Sequence, residues 1–196
     1  MRGSLGLVLS TLLIAAQFAT PVLAQAPPTA ISWLDRPLVQ WNTPGMPVPT
    51  AQSPSAVNAP YCSNGNRPPD TSVDQTLVDH GWFLTTAYQG GWGLTIVEAQ
   101  GGWDGMCRPL DYQGFVFSNG EYAGTIAPDL MAARADGSAD FIYLRQGTLS
   151  VGFVRYADTD PLCCPSGGES NVIYHVDHTD AGPVLVADSV QRVSSP

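Results

Sequence analysis

The sequence predicts a mainly β fold: an antiparallel, curled or barrel-like sheet of about seven to eight strands, one short N-terminal helix and disulfide staples. Three observations predict it. From Gly81 onward apolar residues alternate with a period of two, the signature of half-buried strands. The 196 residues include 20 Gly and 17 Pro and few of the best helix formers. Asn119-Gly120, between Phe115-Val116-Phe117 and Tyr122, is a strong two-residue hairpin signal, and Gln146-Gly147 is a second, weaker one.

Residues 1–24 read as a secretory signal peptide. Arg2 is the only charge before Asp35, Leu5 to Ala16 is apolar apart from Ser10 and Thr11, and Val22-Leu23-Ala24 suits signal peptidase. As a helix that run would span about 18 Å, short of the ~30 Å a membrane anchor needs. The first cysteine is Cys62, so no lipobox cysteine follows Ala24. The expected mature protein starts at Gln25, has no stable membrane anchor, and is secreted or periplasmic.

Residues 25–60 form a proline-rich arm. Ten of the 17 prolines lie in residues 25–69, with Trp33 and Trp41 among them. A solvated linker rarely carries Trp, Leu, Val and Ile together. Residues 31–42 are therefore expected to pack on the domain, and Thr43 to Ala59 to be mobile. The domain itself is assigned to 61–196.

Asp70 to His80 is the one helix expected, with Ser72 and Gln75 as its capping box, Val73, Leu77 and Val78 as its apolar stripe, and Gly81 as its stop. The strands expected are Trp82–Tyr88, Leu94–Ala99, Gln113–Ser118, Glu121–Ile126, Asp140–Arg145, Thr148–Tyr156, Ser170–Val176 and Val184–Val190.

Cys62, Cys107, Cys163 and Cys164 are an even set in an exported chain, for which disulfides are the default. Adjacent Cα atoms sit about 3.8 Å apart, under the usual ~4.4–6.8 Å of a disulfide. The expectation is that Cys163 and Cys164 bond separately to Cys62 and Cys107. Zinc would want C-x₂₋₄-C spacing, and a redox site C-x-x-C; both are missing.

Three segments belong together: Asp104-Gly105-Met106-Cys107-Arg108-Pro109-Leu110; Phe115-Val116-Phe117 with Gly120 and Ala123-Gly124-Thr125; and Phe153-Val154-Arg155-Tyr156 with Asp160-Pro161-Leu162-Cys163-Cys164-Pro165-Ser166-Gly167-Gly168. This pattern resembles the LppP/LprE lipoprotein family of bacterial envelope proteins, over roughly residues 80–177. The resemblance implies an exported, mainly β domain and supplies no catalytic residues. The chain departs from it in lacking the lipidated N-terminal cysteine.

Charge narrows the partners. The eight basic residues are all arginines, 17 acids give a net charge of −9, and charged residues make up only 13%. A nucleic-acid partner is unexpected, because such a chain releases few phosphate counterions. No cofactor motif of the G-x-G-x-x-G or P-loop kind occurs. His175-x-Asp177-His178-x-Asp180 is a poor metal site, since i and i+3 on a strand face opposite ways. Asp136, Asp158 and Asp160 lie in no calcium-loop pattern, and Ser166 lies in no nucleophile elbow. The binding candidates are Arg108, Arg134 and Arg155, as a small cationic pocket, with Trp92 and Trp103 on loops beside Gly-Gly turns. For the arginines, ion pairs with nearby Asp that merely order loops are the competing explanation. The expected function is a non-enzymatic exported module that binds an unknown envelope or extracellular ligand or supports a surface structure. A carboxylate-based envelope hydrolase is the alternative.

Overall fold

The computed structural model describes residues 32–52, 60–89, 92–145 and 147–193. The expected signal peptide, the first residues of the arm and residues 53–59 lie outside the described residues. The chain makes one α-helix, α1 (Ser72–Asp79), and eight strands: β1 (Phe83–Gln89), β2 (Leu94–Trp103), β3 (Pro109–Ser118), β4 (Glu121–Thr125), β5 (Ala139–Arg145), β6 (Thr148–Val154), β7 (Glu169–Thr179) and β8 (Gly182–Val193). Short 3-10 turns occupy Trp33–Asp35 and Pro60–Gly65.

Every strand read from period-two alternation is present, but not in one curled or closed sheet. Two antiparallel four-stranded meanders form instead, in the orders β1-β2-β3-β4 and β5-β6-β7-β8. The reason lies in residues 126–138. Ile126, Ala127 and Met131 are buried there, and Met131 bridges Tyr112, so the chain after β4 runs along the first sheet, packed in the core both sheets share, before it starts β5. Both hairpin signals hold. Ser118 pairs with Glu121 across Asn119-Gly120, whose positive φ values of 51° and 84° suit a two-residue turn, and Arg145 pairs with Thr148.

The first sheet is buried on both faces, because its strands carry apolar residues at successive positions. Ile96 and Val116 face the main core, which they share with Leu149, Val151, Phe153, Val172, Tyr174 and Leu185 of the second sheet. Val97, Ala99, Phe115 and Phe117 face the other way, onto Val73 and Leu77 of α1 and onto Trp82. The second sheet keeps its outer face wet, and β5 alternates half-buried and exposed residues along most of its length.

Helix α1 lies within the expected Asp70–His80, but its cap is one residue earlier than expected. Thr71 is its cap and Asp74 its reciprocal partner, in place of Ser72 and Gln75. Asp74 also accepts hydrogen bonds from the Arg67 guanidinium, which a glutamine would not draw as strongly. Val78 is exposed rather than part of the stripe.

The arm packs as expected through residue 42. Trp33 stands edge-on to Phe153 and to Trp41, and Trp41 stands edge-on to Tyr174. Beyond it, residues 43–52 are ordered rather than loose. Trp82 Nε1 donates to Pro49 O at 2.7 Å, Ala51 N donates to His80 O at 2.9 Å, and Val48 and Ala51 pack on the helix-side core. Asn42 joins the edge strands of the two sheets: its amide donates to Thr125 O of β4 and to Leu185 O of β8, each at 3.1 Å.

The cysteine pairing differs from the expected staple. Cys62 bonds to Cys107, with Cα atoms 5.0 Å apart, and Cys163 bonds to Cys164. Cys62 lies buried beside Trp103, whereas Cys163 and Cys164 are exposed. Cys164 N donates to Pro161 O at 2.9 Å, so the pair sits in a turn and not on the extended backbone that would aim the two side chains apart.

Candidate functional site

The two sheets leave a cleft of about 400 Å³ between them. Thr85 of β1, Glu98 and Gln100 of β2, and Pro109 and Tyr112 of β3 form one wall. Ala139 and Asp140 of β5 and Val154 of β6 form the other. Loop residues Ala133, Arg134, Ser138, Tyr156 and Pro165 complete it.

Each polar group there has a local cause. A register shift in β1 between Leu84 and Ala87 sets Thr85 off the regular ladder, and its hydroxyl donates to Glu98 O at 2.9 Å. Glu98 is an acid inside a strand that is otherwise nearly apolar. Burial raises its pKa from the usual carboxylate range, opposed by hydrogen bonds from Tyr88 and Thr86. The Tyr112 phenol is pushed up to about 12 by burial, and its hydroxyl donates to Ala139 O at 3.3 Å. Gln100 is only 2% exposed, yet its Oε1 has no hydrogen-bond partner. Arg134 is exposed in the connection that leads to β5, at a φ of 64°. Ala133 N beside it donates to Pro109 O at 3.1 Å, which holds the loop over β3. Among the described residues, Arg134 has no acidic partner within ion-pair distance.

The remaining binding candidates lie elsewhere. Arg108 pairs with Asp104, whose carboxylate also accepts from Met106 N and Arg108 N and so ties up the turn. That arrangement holds Asp104 down at about 2, chiefly through the Arg108 side chain. Arg155 is 4% exposed and spends its guanidinium on Asp35, Asp136 and Ser170. Trp92 is 76% exposed at the β1–β2 turn, next to Gly147 of another hairpin. Trp103 is buried against Phe83 and the Cys62–Cys107 bond. Of the five, only Arg134 lines the cleft, and the three arginines do not converge on one pocket.

Sequence reasoning missed Glu98, Gln100, Tyr112, Ser138 and Asp140. One signal was present for two of them: Glu98 and Gln100 are the polar interruptions in Ile96-Val97-Glu98-Ala99-Gln100. The histidine run splits as expected for a strand. His175 bonds Asp177 and Asp188, while His178 reaches Ser118 of the first sheet. Among the described residues no cluster of three or more metal-ligating side chains occurs. Among them, too, no helix is long and apolar enough to cross a membrane.

The cysteine-bearing motifs flank the cleft. Pro109 closes the Asp104–Pro109 turn, and Pro165 closes the loop ordered by Asp160, which accepts from Ala157 N and Ser166 N. No curated protein and no solved structure matches the chain. The family described as LppP/LprE lipoprotein matches residues 79–179, which takes in β1 to β7 and both motifs. A chain matched over half its length, with these motifs folded around one cleft, belongs to the LppP/LprE lipoprotein family of envelope-associated proteins.

Proposed function

We propose that this protein is a non-enzymatic binding module of the bacterial cell envelope, periplasmic or secreted, that holds a small polar ligand in the cleft between its sheets. The observation that carries the reading is Arg134, a cation at the cleft edge with no acidic partner among the described residues, in a chain with net charge −9. Among those residues Arg67, Arg108, Arg155 and Arg192 each pair with an aspartate, whereas Arg134 and Arg145 do not, and of those two only Arg134 lines the cleft. The volume falls within the range of small-molecule sites, about 300–1,000 Å³. The test is an NMR titration of the mature protein with fractionated envelope fragments. Perturbed resonances should cluster on Thr85, Gln100, Tyr112 and Arg134, and Ala133→Trp should abolish them. Perturbation confined to another face would overturn the reading.

One observation favours a hydrolase as second reading: Glu98, with its raised pKa, and Asp140 line the same cleft. Glu98 would then serve as acid and Asp140 as base or nucleophile. Turnover of an envelope fragment, lost in both Glu98→Gln and Asp140→Asn, would select it over binding alone.

A further inference from the structure

We propose that the cleft takes a small acidic sugar, a pyranose carrying a carboxylate, with the carboxylate on Arg134 and ring hydroxyls donating to Gln100 Oε1. The inference rests on the binding reading and names its ligand chemistry. Buried side-chain oxygens are nearly always hydrogen-bonded, and the Oε1 of Gln100, a residue that lines the cleft, is not. It is a neutral acceptor, so it asks for a neutral O–H or N–H donor. Arg134 asks for an anion, and a planar carboxylate matches its fork.

Other ligand chemistries fit less of the site. A bare anion would satisfy Arg134 and leave Gln100 unmet, with the Glu98 carboxyl nearby on the same strand. An ammonium would have to shed water beside Glu98, which already takes hydrogen bonds from Tyr88 and Thr86, while Asp140 is exposed. A neutral sugar would leave Arg134 without a partner. Pro109, Tyr156 and Pro165 are among the lining residues, and flat side chains of this kind are what the C–H face of a pyranose packs on.

The experiment is calorimetric titration of the mature protein with D-glucuronic acid, D-glucose and acetate. Glucuronic acid should bind at least about tenfold more tightly than either of the others, since each of them lacks one of the two charged or neutral contacts. Arg134→Gln should bring glucuronic acid down to the glucose level. Gln100→Met, which keeps the volume and removes the acceptor, should weaken it about tenfold. Arg134 is exposed, so its variant stays informative even if Gln100→Met fails to fold. Equal affinity for acetate and glucuronic acid would overturn the proposal, as would an unchanged affinity in Arg134→Gln. If none of the three binds while an envelope fraction still perturbs the cleft, the sugar is wrong and the binding reading stands; if nothing perturbs the cleft, both fall.

Discussion

Arg155 and Asp35, 120 residues apart in sequence, meet as a fork: Arg155 Nη1 lies 3.1 Å from Asp35 Oδ1, and Nη2 takes the other oxygen. Arg155 Nε adds Asp136 at 2.9 Å. One guanidinium thereby fastens the arm, the connection into β5 and the end of β6. Burial works against its charge, and the hydrogen bonds to Asp35 and Asp136 outweigh that, so its pKa rises. Arg155→Met should cost about 2–3 kcal/mol by chemical denaturation, because charge-assisted hydrogen bonds are lost while the freed carboxylates can rehydrate. Arg155→Lys should recover little, since a point charge cannot span both oxygens. An unchanged denaturation midpoint would show that the arm is held by its tryptophans alone.

Asn42 and Gly124 form a lock. Thr125 N donates to Asn42 Oδ1 at 2.9 Å, and a Cβ on Gly124 would lie 2.3 Å from Asn42 Cγ at a φ of 142°. Asn42→Ala should destabilise by about 2–3 kcal/mol through buried backbone groups left unmet. Gly124→Ala should cost at least as much, and the double variant less than the sum, because both break one contact. Additive losses in thermal melts would refute the lock.

The two disulfides should differ in what they contribute. Cys62–Cys107 spans a sequence separation of 45, and closing such a loop in the unfolded chain is worth ~4 kcal/mol. Cys163–Cys164 spans a separation of 1 and closes no loop of consequence. Replacing Cys62 and Cys107 by Ser should lower the melting temperature markedly, while replacing the adjacent pair should leave it nearly unchanged. Non-reducing peptide mapping should find Cys163 and Cys164 joined within a single peptide.

Asp74 makes stability fall in acid. The Arg67 side chain holds its pKa down, from 3.8 to about 2, against burial. A depressed folded pKa contributes stability that is complete above the unfolded value and lost as pH falls through the folded one. About 1–2 kcal/mol should therefore disappear between pH 4 and pH 2, less than full linkage because Arg67 is 23% exposed. Asp74→Asn should flatten that part of the stability curve.

His175 should titrate above its usual 6.5, chiefly through its hydrogen bond to Asp188. The stabilisation is present while the ring is charged and fades as pH rises through the raised value. Asp188→Asn should lower the NMR titration midpoint; no movement would place the cause on Asp177.

The local pieces of the fold were legible along the chain. All eight strands were legible as short apolar or alternating runs between turn residues, Asn119-Gly120 marked its hairpin, and Trp33 and Trp41 marked an arm that packs. These follow from side-chain period and turn conformation, which neighbouring residues decide. Whatever depends on which distant surfaces meet was settled by packing. The strands divided into two sheets around a shared core that also takes Ile126, Ala127 and Met131, and a turn at Pro161–Cys164 kept the adjacent cysteines with each other. The same separation of sheets put Glu98 and Gln100 of one beside Asp140 of the other. Spacing along the chain carries no record of that meeting, because long-range packing of apolar faces sets it.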